Sequence, residues 1–123
     1  MIWLIIGSIT MTVLAILHSY AGEIRLLRPL LQGNDLPTLN DSIDYTKVIL
    51  RWAWHLTSLA WFGFGAIFLG LMQVAPDERR LPLLILTGIL ALSGVIVLIV
   101  TRGRHPAWIF FLIAAVCAWM GMG

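Results

Sequence analysis

Four apolar segments, residues 2–20, 48–72, 83–100 and 107–122, contain no acidic residue among them. Each is apolar on every face, so none can lie as an amphipathic shell around a water-soluble core. Three are long enough, or nearly so, for the roughly 20 residues that a helix needs to cross a hydrocarbon core, and the last is somewhat short. The chain has 123 residues, of which 60% are hydrophobic and 11% charged, so it has too little polar surface to cover itself in water. The expectation is an all-α protein, a four-transmembrane-helix up-down-up-down bundle, with residues 1–123 forming one domain. No sequence repeat relates the halves, and there is no room for a second domain.

The connections define the order of the helices. The first helix is expected to continue past the membrane through Glu23, Arg25 and Arg28 until Pro29 breaks it. Residues 32–46 form the only sizeable loop, with turn residues Gly33, Asn34, Asp35 and Pro37, and with Asp41 or Ser42 as N-cap of the second helix. The second connection, 75–82, and the third, 101–106, are short enough to require antiparallel neighbours. Pro82 and Pro106 suit the first turn of the helices they open. Residues 1–20 lack a positively charged leading region and read as a retained helix rather than a signal peptide.

Orientation follows from the basic residues. Arg25, Arg28, Lys47, Arg51, Arg102 and Arg104 lie at one edge, and only Arg79 and Arg80 at the other, beside Asp77 and Glu78. The positive-inside rule therefore puts the long loop in the cytoplasm and both termini outside. Trp52, Trp54 and Trp108 then fall near the inner interface, with Trp3 and Trp119 near the outer one. The net charge of +2 reports topology and anionic headgroups, and nucleic acid is not an expected partner. Small-residue stripes, Gly63–Ala66–Gly70 on the second helix, Thr87–Ala91–Gly94 on the third and Ala107–Ala114–Ala118–Gly121 on the fourth, are expected to pack within the chain, with a homo-oligomer seam as the alternative.

The basic edge also carries every histidine. His18, His55 and His105 come from three different helices at similar depth, and neutral imidazole is the commonest ligand of Zn, Fe and Cu. A transition-metal site of His18, His55 and His105, assisted by Glu23, is the favoured functional expectation. Glu23 follows His18 by five positions, about 140° around a helix, so both can face one metal only if the helix loosens at Gly22 or the site is offset. Against a metal, each histidine alone reads as an interfacial side chain bonded to a carbonyl or water. A b-type haem held by His18 and His55, with nearby arginines meeting its propionates, is a further reading. On the second helix Arg51, His55, Ser58 and Phe62 share one face, which should point inward, and Arg51 can pair with Glu23 across the cytoplasmic mouth.

Other chemistries lack their motifs. Ser19, Ser42, Ser58 and Ser93 offer hydroxyls without a GxSxG elbow, Cys117 lies far from every imidazole and has no disulfide partner within the chain, and no phosphate loop or dinucleotide fingerprint is present. Small multidrug resistance transporters share this length and helix count, but residues 2–20 lack their membrane-embedded glutamate. Three stretches, His18-Ser19-Tyr20-Ala21-Gly22-Glu23 leading to Leu26-Leu27-Arg28-Pro29-Leu30, then Arg51-Trp52-Ala53-Trp54-His55-Leu56, then Arg102-Gly103-Arg104-His105-Pro106-Ala107-Trp108, resemble an uncharacterised family of small bacterial four-helix integral membrane proteins. That resemblance implies a bacterial inner-membrane location and brings no activity, substrate or cofactor. The rival to a metal site is a non-catalytic accessory subunit docked on a larger membrane complex, its histidines and arginines serving as interfacial anchors.

Overall fold

The computed structural model describes all residues, 1–123, and is helical throughout with no strand. Helix α1 (Ile2–Gly22) runs into a π-helical turn (Glu23–Leu27) and the short α2 (Arg28–Gln32) without interruption. Helix α3 (Ile43–Gly70) ends in a 3₁₀ turn (Leu71–Gln73), followed by α4 (Arg80–Val100) and α5 (Ala107–Met120). Three rods, Ile2–Gln32, Ile43–Gln73 and Arg80–Val100, are long and apolar enough to cross a membrane. The fourth, α5, has 14 residues, which at 1.5 Å per residue gives about 21 Å.

Pro29 does not end the first rod. A proline inside an α-helix loses its N–H and presses its ring on the carbonyl four residues back, here that of Arg25. The chain relieves this by widening the preceding turn, where the Arg28 N–H donates to the Glu23 carbonyl, five residues back. The loop after Gln32 is closed by Ser42, whose hydroxyl caps α3 by accepting the Tyr45 N–H at 3.2 Å. Thr46, buried in the first turn of α3, donates to the Pro37 carbonyl at 2.7 Å and accepts the Leu39 N–H at 2.9 Å, tying loop to helix. Asn40 and Asp41 take the left-handed conformation that these residue types tolerate best.

Helix α1 packs against α3 and α5, and α5 packs against α1 and α4. The closest approaches are at glycines. A Cβ on Gly7 would meet the Phe68 ring at 2.7 Å, one on Gly65 the Thr12 hydroxyl at 3.0 Å, and one on Gly94 the Leu112 side chain at 2.8 Å. On α5 the stripe Ala107, Ala114, Ala118 and Gly121 is buried, as expected from sequence. Gly63, Ala66 and Gly70 are instead exposed, and a Cβ on Gly63 or Gly70 would meet nothing within 4 Å. Packing on α3 uses Gly65 instead, so the face turned toward α1 differs from the one that the small-residue stripe suggested.

The core is concentrated at one end. Leu4, Phe68 and Leu83 are fully buried toward that end and Met11 and Leu90 at mid-helix, and Leu14, Ala107 and Phe111 extend the cluster toward the histidines. Arg79, 6% exposed, closes the packed end with its Nη1 3.9 Å from the Met1 sulfur. The opposite end carries the histidines and is not filled in the same way.

Candidate functional site

Two adjacent residues of α1 and two residues one turn apart on α3 meet crosswise. His18 Nδ1 lies 2.8 Å from Ser58 Oγ, and Ser19 Oγ lies 2.6 Å from His55 Nδ1. Beyond them, His55 Nε2 donates to Glu23 Oε2 at 3.2 Å, and Glu23 Oε1 is ion-paired with Arg51 Nη2 at 3.2 Å and with Arg28 Nε at 3.6 Å. Polar side chains removed from water need hydrogen-bond partners, and this clasp supplies them to Ser58, which is 3% exposed, to both ring nitrogens of His55 and to Nδ1 of His18. The ion pair of Glu23 with Arg51 expected from sequence is present.

An aromatic stack adjoins the clasp. The His18 ring lies parallel to the Trp54 indole, with centroids 4.2 Å apart and planes 5° apart, while Trp61 approaches at 4.4 Å, tilted by 57°. Trp54 is anchored by its indole N–H, which donates to the His18 carbonyl at 3.0 Å. Gly22 makes this possible, because a Cβ there would overlap the Trp54 indole at Nε1. By sequence alone Trp54 belongs to an interfacial belt and Ser19 is a hydroxyl without an assigned partner. The signal that links them is the spacing of His18, Ser19 and Gly22 on one helix against Trp54, His55 and Ser58 on the other.

The four residues expected to hold a metal are not gathered. His55 and Glu23 touch, but both His55 ring nitrogens are engaged: a carboxylate can only accept, so Nε2 carries the proton and, in the neutral ring, Nδ1 accepts from Ser19. His18 is turned to Ser58 and Trp54. His105 is exposed, and its Nδ1 accepts the Ala107 N–H at 3.2 Å, leaving the neutral ring's proton on Nε2. No group of three or more His, Cys, Asp or Glu side chains is placed to hold a metal ion. The haem pair is divided in the same way, since His55 Nε2 is directed at Glu23 and His18 at Ser58.

His18 and Trp54 instead form a partition between two cavities at this end. One, about 440 Å³, lies between α1 and α5 and is lined by Leu14, Leu17, Ala21 and Phe110 in its depth and by Arg25 and His105 toward the loops. The other, about 450 Å³, opens between α3 and α4, with Trp61, Ile96, Val97 and Thr101 on its walls. His105 and Ala107 border both. Comparison of the chain with family models, curated proteins and solved structures finds no match.

Chemically, this arrangement offers an apolar slot whose rim presents N–H donors and a guanidinium. In the clasp beside it, both His55 nitrogens and the hydroxyls of Ser19 and Ser58 are engaged.

Proposed function

We propose that the protein is a multi-pass inner-membrane protein of up-down-up-down topology whose cavity between α1 and α5 binds a membrane-borne amphiphile with a hydrogen-bond-accepting head. The alternation of helices is supported by the pairs that meet: Gly7 with Phe68 and Glu23 with Arg51 on α1 and α3, and Leu4 with Gly121 on α1 and α5. The excess of basic residues at the histidine end supports placing that end in the cytoplasm, with both termini outside. The observation that carries the binding reading is the cavity itself. Its depth is apolar, and Arg25 and the His105 N–H stand at its rim, which is the division an apolar tail with a polar head requires.

Photolabelling tests this. A long-chain carboxylate carrying a diazirine, presented to the protein in detergent or nanodiscs, should label the α1 and α5 residues of the cavity. Ala21→Phe, which fills the cavity, should reduce that labelling about tenfold or more, and Arg25→Gln should weaken it. Labelling spread over all lipid-facing residues, unaltered by Ala21→Phe, would overturn the proposal. One Zn, Fe or Cu per chain that is lost in His18→Ala would replace it with an imidazole-held metal, and a Soret band would replace it with haem. A preparation without bound amphiphile that runs only within a larger assembly would favour the accessory subunit.

A further inference from the structure

We propose a second, separate site at the histidine end: the depression lined by Arg28, Leu31, Gln32, Lys47 and Arg51 binds a phosphate group, supplied by an anionic phospholipid at the membrane surface. The depression has a volume of about 260 Å³. It lies on the α2 and α3 side, away from the cavity proposed to take the amphiphile, and does not depend on that reading.

Its charge is concentrated by construction. The π-helical turn sets α2 so that Arg28, Leu31 and Gln32 line the same depression as Lys47 and Arg51, which stand one turn apart on α3. Three cations therefore face one space, against a single carboxylate, Glu23, that is already shared among Arg28, Arg51 and His55. Every ion pair in the protein ends on Glu23, so neither the loop carboxylates Asp35 and Asp41 nor Asp44 in the first turn of α3 is paired with these cations. Lys47 is held in place by its Nζ bond to Asn34 Oδ1 at 3.1 Å. Two guanidinium forks, an ammonium and the Gln32 amide form a donor set suited to phosphate oxygens, which accept bidentately from arginine.

The same chemistry would hold a soluble phosphate, but the surroundings favour lipid. Leu31 is the buried apolar residue of the lining, and its sequence neighbour Leu30 and the sequence neighbour of Lys47, Val48, are 45% and 52% exposed, so both helices carry lipid-compatible side chains at the level of the site. The site is at the end of a membrane-crossing rod, at the level where headgroups are met.

Native mass spectrometry of the full-length protein, released from micelles containing phosphatidylglycerol or phosphatidylcholine, decides the matter. Phosphatidylglycerol should be retained preferentially. Arg28→Gln and Lys47→Gln should each lower its retention about fivefold, and the double variant about 25-fold. Lys47→Arg should retain it, which separates lost binding from lost folding. Arg104→Gln removes the same charge at the same end but outside the depression, and should have no effect. Equal loss in Arg104→Gln, or undiminished retention in the double variant, would overturn the site. Displacement of the lipid by millimolar inorganic phosphate would overturn its assignment to lipid and give the site to a soluble phosphate.

Discussion

At the level of single residues, the histidine end depends on Gly22. Any side chain there must displace Trp54, breaking the indole bond to the His18 carbonyl and the stack on the His18 ring. Gly22→Ala should therefore destabilise the protein by about 1–3 kcal/mol, the usual cost of overpacking, in spite of alanine's better helix propensity. Gly63→Ala meets open space and should be neutral or stabilising by up to about 1 kcal/mol. Both are read by unfolding titrations in mixed micelles. The crosswise clasp makes a separate prediction: a double-mutant cycle on His18→Ala and Ser58→Ala should give a coupling of about 0.6 kcal/mol and not above ~1.7 kcal/mol, the range found for hydrogen bonds between membrane helices. The depth of His18, His55 and Glu23 could be read from the sequence, because depth follows from counting residues along a spanning helix. The direction of each ring could not. In a helix that is apolar on all sides the hydrophobic pattern carries no phase, so nothing in the sequence distinguishes His18 turned to Ser58 from His18 turned to His55.

Among the elements, the π-helical turn is the one that the sequence disguised. Pro29 reads as a helix breaker, and by sequence a loosening at Gly22 is only one of two conditions for a shared metal, the other being an offset site. In the structure that loosening serves α2 instead, placing Gln32 and Lys47 around one depression. Pro29→Ala removes the ring clash that maintains the wide turn, and an ordinary α-helical turn would rotate α2 away from α3. In a Cys117→Ala background, cysteines at positions 32 and 47 should be cross-linked by a short bifunctional maleimide, and Pro29→Ala should reduce that yield severalfold. The turn between α4 and α5 also departs from its simplest form. Gly103 donates to the Leu98 carbonyl at 2.9 Å and Arg102 to that of Ile99 at 3.1 Å, the pattern that closes many helices with glycine, yet Arg102 occupies the left-handed position with φ of 51°. Arg102→Gly should stabilise the fold by about 1 kcal/mol by relieving that conformation. The capping of α3 by Ser42 was legible because an N-cap needs only a short polar side chain before an apolar run.

For the molecule as a whole, the number of apolar helices was legible, and the order in which they pack was not, since lipid offers no hydrophobic preference among partners. Packing is decided by where backbones can approach, and the exposed Gly63–Ala66–Gly70 stripe shows that small residues permit contact without compelling it. The short α5 fits the same logic. It is packed against both α1 and α4, so much of its surface is matched to protein rather than to the full thickness of the bilayer. What remains is the direction of the bundle, and here charge is the only asymmetry. Six basic residues at the histidine end against two at the other are the basis for the proposed cytoplasmic placement of the 33–42 loop, and the short length of every connection keeps all of these charges within the range over which the positive-inside rule acts. In the Cys117→Ala background, Asn34→Cys should react with a membrane-impermeant maleimide only after the membrane is opened, whereas Asp77→Cys should react in intact cells. The reverse pattern would turn the cationic depression and the cavity rim to the outer leaflet, so the lipid that each meets would have to come from that side.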